Sequence, residues 1–461
     1  MYFAQYYLDC LSQASYIIGD EQSGKAVVVD PRRDIEQYLT DAQERGLEIV
    51  GVINTHFHAD FVSGHIELAK ATGAWIGYGQ AAKADFEVRS LTDGERIELG
   101  DVVLEVMETP GHTPESISVL VYEHADDSAP YGVLTGDALF IGDVGRPDLL
   151  ASIGVTADEL GKMLYDSIQN KLMGLPDETR VFPAHGAGSA CGKNLSTETQ
   201  STIGEQRKFN YACQPMTEEQ FVAVVTAGQP PAPEYFLYNA VLNRQERETR
   251  EVGATLPALS PEQVSEALAA GAKVIDARDP MEFSSGHLAG AINVPVDGRM
   301  AETVGMVVKP EDTIVLMAPE GEEQEAGVRL TRIGFDHAIG FVPRPEAYMI
   351  DHCLEEQVEH ASRLTPVQLE EHVSKGDVQL VDIRNAGETE GGMVPGAVNI
   401  PLAQLARRVD ELDPAKPTLL YCAGGWRSSV GSSLLRHLGF TDVSDVLGGY
   451  AGWEATQAAH A

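Results

Sequence analysis

The sequence predicts an α/β protein of three successive domains: a larger N-terminal strand-and-helix sandwich over residues 1–240, then two smaller α/β domains over 256–352 and 362–461. Three observations predict it. Apolar strands in the first half stop at His or Asp clusters, the second half repeats itself at a near-constant offset, and each repeat runs strand, loop, strand, helix.

In the first half, Ser15–Gly19 and Lys25–Asp30 flank the polar stretch Asp20–Gly24 and predict a hairpin. Ile49 to Thr55 is apolar and β-branched, a buried strand that runs into Thr55-His56-Phe57-His58-Ala59-Asp60-Phe61. Val103–Pro110 and Tyr131–Phe140 follow the same plan, delivering Gly111-His112-Thr113 and Gly136-Asp137, and Pro183-Ala184-His185-Gly186 closes the series. Four His and two Asp beside Gly or Pro at strand ends are how a rigid sheet presents a metal site on loops. The Pro-rich stretch Ala227–Pro233 reads as a boundary.

In the second half, Lys273–Pro295 matches Gln379–Pro401 at an offset of 106, and Thr313–Phe335 matches Thr418–Phe440 at an offset of 105. The last copy carries Cys422-Ala423-Gly424-Gly425-Trp426-Arg427-Ser428 between a strand and an amphipathic helix. A cysteine there has its thiolate stabilised by loop N–H groups and the positive helix end. Gly424 and Gly425 let the backbone bend so that those groups converge, and Arg427 adds fixed positive charge. Asp382 and Arg384 are expected to brace the fold. Ungapped alignment sets Met317 opposite Cys422 and Glu322 opposite Arg427 in the middle copy. A thioether forms no thiolate, and Glu320, Glu322 and Glu323 repel an anionic sulfur, so this domain is expected to be an inactive spacer or docking module.

Composition excludes several classes. Asp and Glu number 70 against 33 Lys and Arg, a formal net charge of −37 over 461 residues, which repels nucleic acid and anionic membranes. No apolar run approaches the roughly 18–20 residues of a membrane span. The N-terminus has no basic region ahead of an apolar stretch, so a cytoplasmic location is expected. The five cysteines are scattered without a CxxC pair, and free thiols are expected. Cys10, Cys213 and Cys353 have no setting that suggests chemistry.

The H-x-H-x-D series with its later His and Asp resembles the metallo-β-lactamase superfamily, which implies an αββα sandwich with metal at its edge. In binuclear members the first motif ends in a further His that binds a second metal; here that position is Phe61, which has no lone pair to give. Among the superfamily, the chain resembles the persulfide dioxygenases. That resemblance implies one Fe(II) per chain, held by His56, His112 and Asp137, with open positions suited to non-haem iron and O₂. It makes His58, Asp60 and His185 groups that orient ligands or substrate. Gly142–Asp148 is similar to a Gly-Arg segment of that subfamily, where Arg146 either meets an anionic part of the thiol carrier or pairs with Asp143 or Asp148. Gly186–Lys193 resembles a stretch of fused dioxygenase–sulfurtransferases, and Cys191 there is either an exposed reactive thiol or a structural cysteine.

The C-x₄-R-S pattern resembles the rhodanese active-site loop, one residue shorter than the related phosphatase loop. Together the resemblances imply oxidation of a low-molecular-weight thiol persulfide by O₂ to sulfite. They also imply a Cys422 persulfide that exchanges its outer sulfur with sulfite to give thiosulfate, or the reverse, in a homo-oligomer. A glyoxalase II-like zinc hydrolase fused to a sulfurtransferase, and a non-catalytic persulfide-sensing scaffold, are the alternatives.

Overall fold

The predicted hairpin forms: Gln13–Asp20 pairs antiparallel with Lys25–Val29, with Asp20 opposite Lys25. In a computed structural model, which describes residues 1–149, 154–229 and 232–460, this hairpin belongs to the first of two six-stranded sheets. Pro230 and Pro231 of the proline-rich boundary stretch lie outside those residues. The first sheet begins as an antiparallel meander and continues with Glu48–Ile53, Trp75–Gly79 and Arg89–Leu91 in parallel. The second is a meander from Arg96–Glu98 to Gly132–Gly136, extended by Arg180–Pro183, which runs parallel to Gly132–Gly136.

Period-two alternation sorts the strands' side chains. Tyr16, Ile18, Val27 and Val29 meet Leu104, Val106, Val119 and Val121 between the sheets. Ile17, Val28 and Val52 point the other way, onto Tyr38 and Leu68 of the helices Glu36–Glu44 and His65–Thr72. On the far side of the second sheet, Leu120, Val133 and Val181 pack on Leu164, Ile168 and Phe221. The layers run αββα. Each such side chain contributes about 1.5–3 kcal/mol by leaving water, so one-residue register slips are strongly disfavoured.

At one edge the two sheets come very close. A Cβ on Gly136, which has φ +53, would sit 2.7 Å from the Thr55 side chain. Only glycine there lets the strand carrying Asp137 approach the strand carrying His56. The N–H of Ile117 donates to the carbonyl of Thr55 and ties the sheets together at the same place.

The chain divides into two compact units, Met1–Ala254 with Arg332–Gly334, and the remainder from Thr255. The second unit contains both repeat copies. The middle copy has a four-stranded parallel sheet ordered Ile292–Asn293, Lys273–Asp276, Ile314–Met317, Ala338–Val342. The last copy has five parallel strands, with Thr418–Tyr421 at the centre. In the middle copy the fifth strand is reduced to a single bridge between Ala258 and Phe341. The helix Trp426–His437 is not amphipathic toward solvent, because Ser428, Ser429, Ser432 and Ser433 are all buried. Ser429 Oγ donates to Asn293 Oδ1 (2.6 Å), and the N–H of Asn293 donates to Ser433 Oγ (2.9 Å). The middle copy is the surface this helix packs on.

Sheet register corrects the ungapped alignment. Asp276 pairs with Met317 as Asp382 pairs with Tyr421, so Ala318, not Met317, stands in the place of Cys422. Further on, Phe335 bonds back to Leu330 as Phe440 does to Leu435, which restores the offset of 105. The middle copy's turn, Ala318–Glu322, is one residue longer than Cys422–Gly425 and its helix, Glu323–Arg332, two residues shorter than Trp426–His437, shifts that alignment without gaps hides. Among the described residues no helix is long and apolar enough to cross a membrane.

Candidate metal centre and sulfur loop

Each predicted ligand leaves the end of a strand with its orientation fixed. Asp30, buried with φ +51, ends the strand Lys25–Val29 and accepts from the N–H of Thr55 (2.7 Å), from Thr55 Oγ1 (2.9 Å) and from His58 Nε2 (2.9 Å). Because the Thr55 hydroxyl donates to Asp30, its oxygen is left to accept from His56 Nδ1 at 3.0 Å. The second ring nitrogen, Nε2, is then the lone-pair atom, and it has no hydrogen-bond partner. His112 is set the same way. Its Nδ1 donates to the carbonyl of Arg146 (2.9 Å), leaving Nε2 for a ligand.

Both lone pairs converge on Asp137, with Nε2 of His56 and His112 at 3.8 and 3.4 Å from Oδ2. Such gaps are long for hydrogen bonds but suit donors sharing one cation, since bonds of about 2.1 Å place neighbouring ligand atoms roughly 3–3.5 Å apart. The three residues are 1% exposed. Burial and the neighbouring histidines hold His56 well below the usual imidazole range, and burial takes His112 down to about 3. Burial also raises Asp137 well above the usual carboxylate range, with the Asp60 charge adding to it. Two neutral imidazoles and a carboxylate without a counter-charge are an unstable buried set unless a cation joins them. The donors fit a metal ion.

His58, Asp60 and His185 form a second group of converging donors, and Asp137, His185 and Cys191 a third. The groups expected to orient ligands therefore lie against the ligand cluster itself. His185 Nε2 is 3.5 Å from Asp137 Oδ1, and Nδ1 is 3.4 Å from Asp60. The buried Phe61 ring packs on His58, with 4.3 Å between centroids.

Arg146 and Cys191 are both buried. Arg146 forms a two-pronged pair with Asp148, both contacts at 2.7 Å, in the loop whose carbonyl accepts from His112. Cys191 is not exposed: it is 1% accessible, lies beside Asp137 and His185, and burial pushes its thiol well up. Lys193 points away, onto the carbonyls of Val224 and Ala227. Asp143 holds this segment in place, accepting from the N–H groups of Lys193 and Asn194 at 2.7 Å. Three further residues shape the site without having been expected from the sequence: Asp30, Glu115, which accepts from the Phe57 N–H, and Asn243, whose amide donates to the carbonyls of His58 and Phe61. Asp30 shared the signature of the other site residues, a polar residue ending an apolar strand. Asn243 is remote in sequence and carried none.

In the last domain, the N–H of Gly425, whose φ is +98, donates to Cys422 Sγ at 3.1 Å. Ser428 Oγ accepts from that sulfur at 3.8 Å, and itself donates to the Gly425 carbonyl at 3.2 Å. Cys422 sits at the base of the loop, while Ala423 and Gly424 are exposed at its mouth and Trp426 is half-buried. Arg427 does not turn to the sulfur but pairs with Glu388. Arg384 and Asp382 brace the fold as expected, paired at 2.7 Å, with the guanidinium also donating to the Glu388 and Gly392 carbonyls.

Comparison with known proteins agrees with this layout. Residues 8–185 match the metallo-beta-lactamase superfamily, and residues 260–343 and 365–456 each match the rhodanese-like domain. The persulfide dioxygenase ETHE1, mitochondrial, of Bos taurus is 31% identical over 226 residues, covering 48% of this chain and 78% of that protein. Its Homo sapiens counterpart is 30% identical over the same span. A crystal structure described as a metallo-beta-lactamase from Staphylococcus aureus matches with a TM-score of 0.67 and 32% identity, covering 74% of this chain and 99% of that one. The expected cytoplasmic location is overturned by these relatives, since the Bos taurus and Homo sapiens proteins are both named mitochondrial. A compartment is set by targeting signals that receptors read, and lack of a secretory pattern does not choose among the others. The chain belongs to the metallo-beta-lactamase superfamily, as a lactamase-like domain fused to two rhodanese-like domains and homologous to the ETHE1-type persulfide dioxygenases.

Proposed function

We propose that the first unit oxidises a low-molecular-weight thiol persulfide, RSSH + O₂ + H₂O giving RSH, sulfite and two protons, and that the last domain moves sulfane sulfur through Cys422. The observation that carries the first half is the convergence of His56 Nε2, His112 Nε2 and the Asp137 carboxylate in a buried site. One Fe(II) bound there would supply redox chemistry toward O₂ and a soft partner for a persulfide sulfur. The chain's own contribution is orientation and exclusion of water. Thr55 and the Arg146 carbonyl hold both imidazoles in the ligating tautomer, and buried Phe61 leaves the neighbouring donor group one ligand short.

In the last domain, the Cys422 thiolate attacks the outer sulfur of a persulfide or of thiosulfate, forming the Cys422 S–S bond and breaking the donor's, with thiolate RS⁻ or sulfite leaving. Sulfite then attacks that sulfur, the Cys422 S–S bond breaks, a new S–S bond forms in thiosulfate, and the electron pair returns to Cys422 as thiolate. The Gly425 N–H stabilises that thiolate.

Metal analysis and an oxygen electrode test this on the purified chain, using glutathione, coenzyme A, cysteine and bacillithiol persulfides. One iron per chain with O₂ consumption on at least one persulfide is expected. A second reading, a two-metal thioester hydrolase, is favoured by the converging His58, Asp60 and His185. Two zinc ions per chain with thioester cleavage and no O₂ uptake would establish it instead.

A further inference from the structure

We propose that Glu388 is a built-in competitor for the oxyanion substrate of the sulfur loop, its carboxylate filling the face of Arg427 that sulfite or thiosulfate must take. The inference rests on the sulfurtransferase reading of that loop. Arg427 donates from Nη1 to Glu388 Oε2 at 2.7 Å and from Nη2 to Oε1 at 2.6 Å. This is the two-pronged geometry in which a guanidinium also grips an oxyanion.

The two partners are held unequally. Glu388 is anchored without Arg427, because the N–H of Asn385 donates to its Oε2 at 2.9 Å and Arg384 Nη1 donates to its carbonyl at 3.1 Å. Arg427 has Glu388 as its hydrogen-bond partner among the described residues and otherwise hangs on a flexible stem. When the pair opens, it is the arginine that swings. The other guanidinium groups around the loop are committed to buried carboxylates, Arg384 to Asp382 and Arg363 to Asp445. Arg427 is therefore the cation that can be released to a ligand.

The pair is also reachable. The side chains of Arg427 and Glu388 are 27% and 36% exposed, so water and anions can compete for them. A dianion offers the guanidinium more charge than one carboxylate does, which makes exchange favourable for sulfite or thiosulfate and poor for a halide. At rest the loop is close to neutral, so a stray monoanion has little to bind.

The test uses the full chain and inorganic sulfate, an unreactive dianion, followed by titration calorimetry and by Trp426 fluorescence. Glu388→Gln keeps an acceptor for the Asn385 N–H but removes the charge. We expect the sulfate Kd, and in parallel the thiosulfate KM, to fall by about two- to five-fold, the range one exposed two-pronged pair covers. The change should appear in KM rather than in kcat. Glu388→Asp, which keeps the charge but shortens the reach, should fall between wild type and Glu388→Gln. Sulfate binding that is unchanged or weakened in a folded Glu388→Gln chain overturns the proposal and makes Glu388 a mere brace for Arg427. If wild type moved no sulfur at all, the sulfurtransferase reading would fail, while tighter sulfate binding by the variant would still uphold the competition.

Discussion

Gly145 shows how narrowly the metal centre is drawn. A Cβ there would lie 2.0 Å from the carbonyl oxygen of Asp137 and 3.0 Å from His112 Nδ1. Gly145→Ala must therefore move the Asp137 backbone or break the bond that fixes the His112 tautomer. Bound metal should drop at least ten-fold, measured by metal content after gel filtration, while Cys422-dependent transfer persists. Gly174→Ala, where a Cβ meets nothing within 4 Å, is the control and should bind metal normally. At this scale the sequence was legible where chemistry clusters. The cluster stood out because four histidines and two aspartates at strand ends are hard to explain otherwise, and the family resemblance singled out His56, His112 and Asp137 within it. Gly145 and Asn243 were not legible, because their roles depend on which backbone passes within a few ångströms, and distance across a fold leaves no mark on a single chain.

Secondary-structure elements carry the pH response. His287 follows the helix Pro280–Ser285, its Nδ1 donating to the Phe283 carbonyl at 2.9 Å and its ring stacked on Phe283. Burial holds its imidazole down to about 4. The native state thus binds fewer protons than the unfolded chain between pH about 4 and about 6.5. This group's contribution is complete above pH 6.5 and is lost as pH falls through that window, by as much as about 3 kcal/mol. Denaturant midpoints at pH 7 and pH 4.5 should therefore differ less in His287→Gln than in wild type; equal differences would exclude the mechanism. The helix Trp426–His437 marks the limit of pattern reading. Its serines predicted a wet face, yet Ser429 and Ser433 meet Asn293 of the preceding repeat through hydrogen bonds that hydropathy cannot distinguish from contact with water.

Over the whole molecule, the two activities should separate cleanly. Cys422→Ser should keep oxygen uptake but accumulate sulfite in place of thiosulfate, by ion chromatography of the products; an unchanged thiosulfate yield would assign sulfur transfer to another thiol. The order of domains and the layers within each were readable, because repeat offset and strand periodicity are properties of the chain alone. Their packing faces were not, since the same apolar stripe fits a helix, a sheet or a neighbouring repeat.

The altered turn after Ala318 has a historical edge. A silenced site that differs from a working one by side chains alone can be revived by restoring them. Here the turn itself differs, five residues (Ala318–Glu322) standing where the working copy has four (Cys422–Gly425), so restored side chains would not meet amides placed to close around a sulfur. Ala318→Cys with Glu323→Arg, which restores the C-x₄-R spacing, placed in a Cys422→Ser background, should therefore leave sulfur transfer absent. Erosion of this kind runs one way, and it leaves the repeat free to specialise as a foundation for its twin.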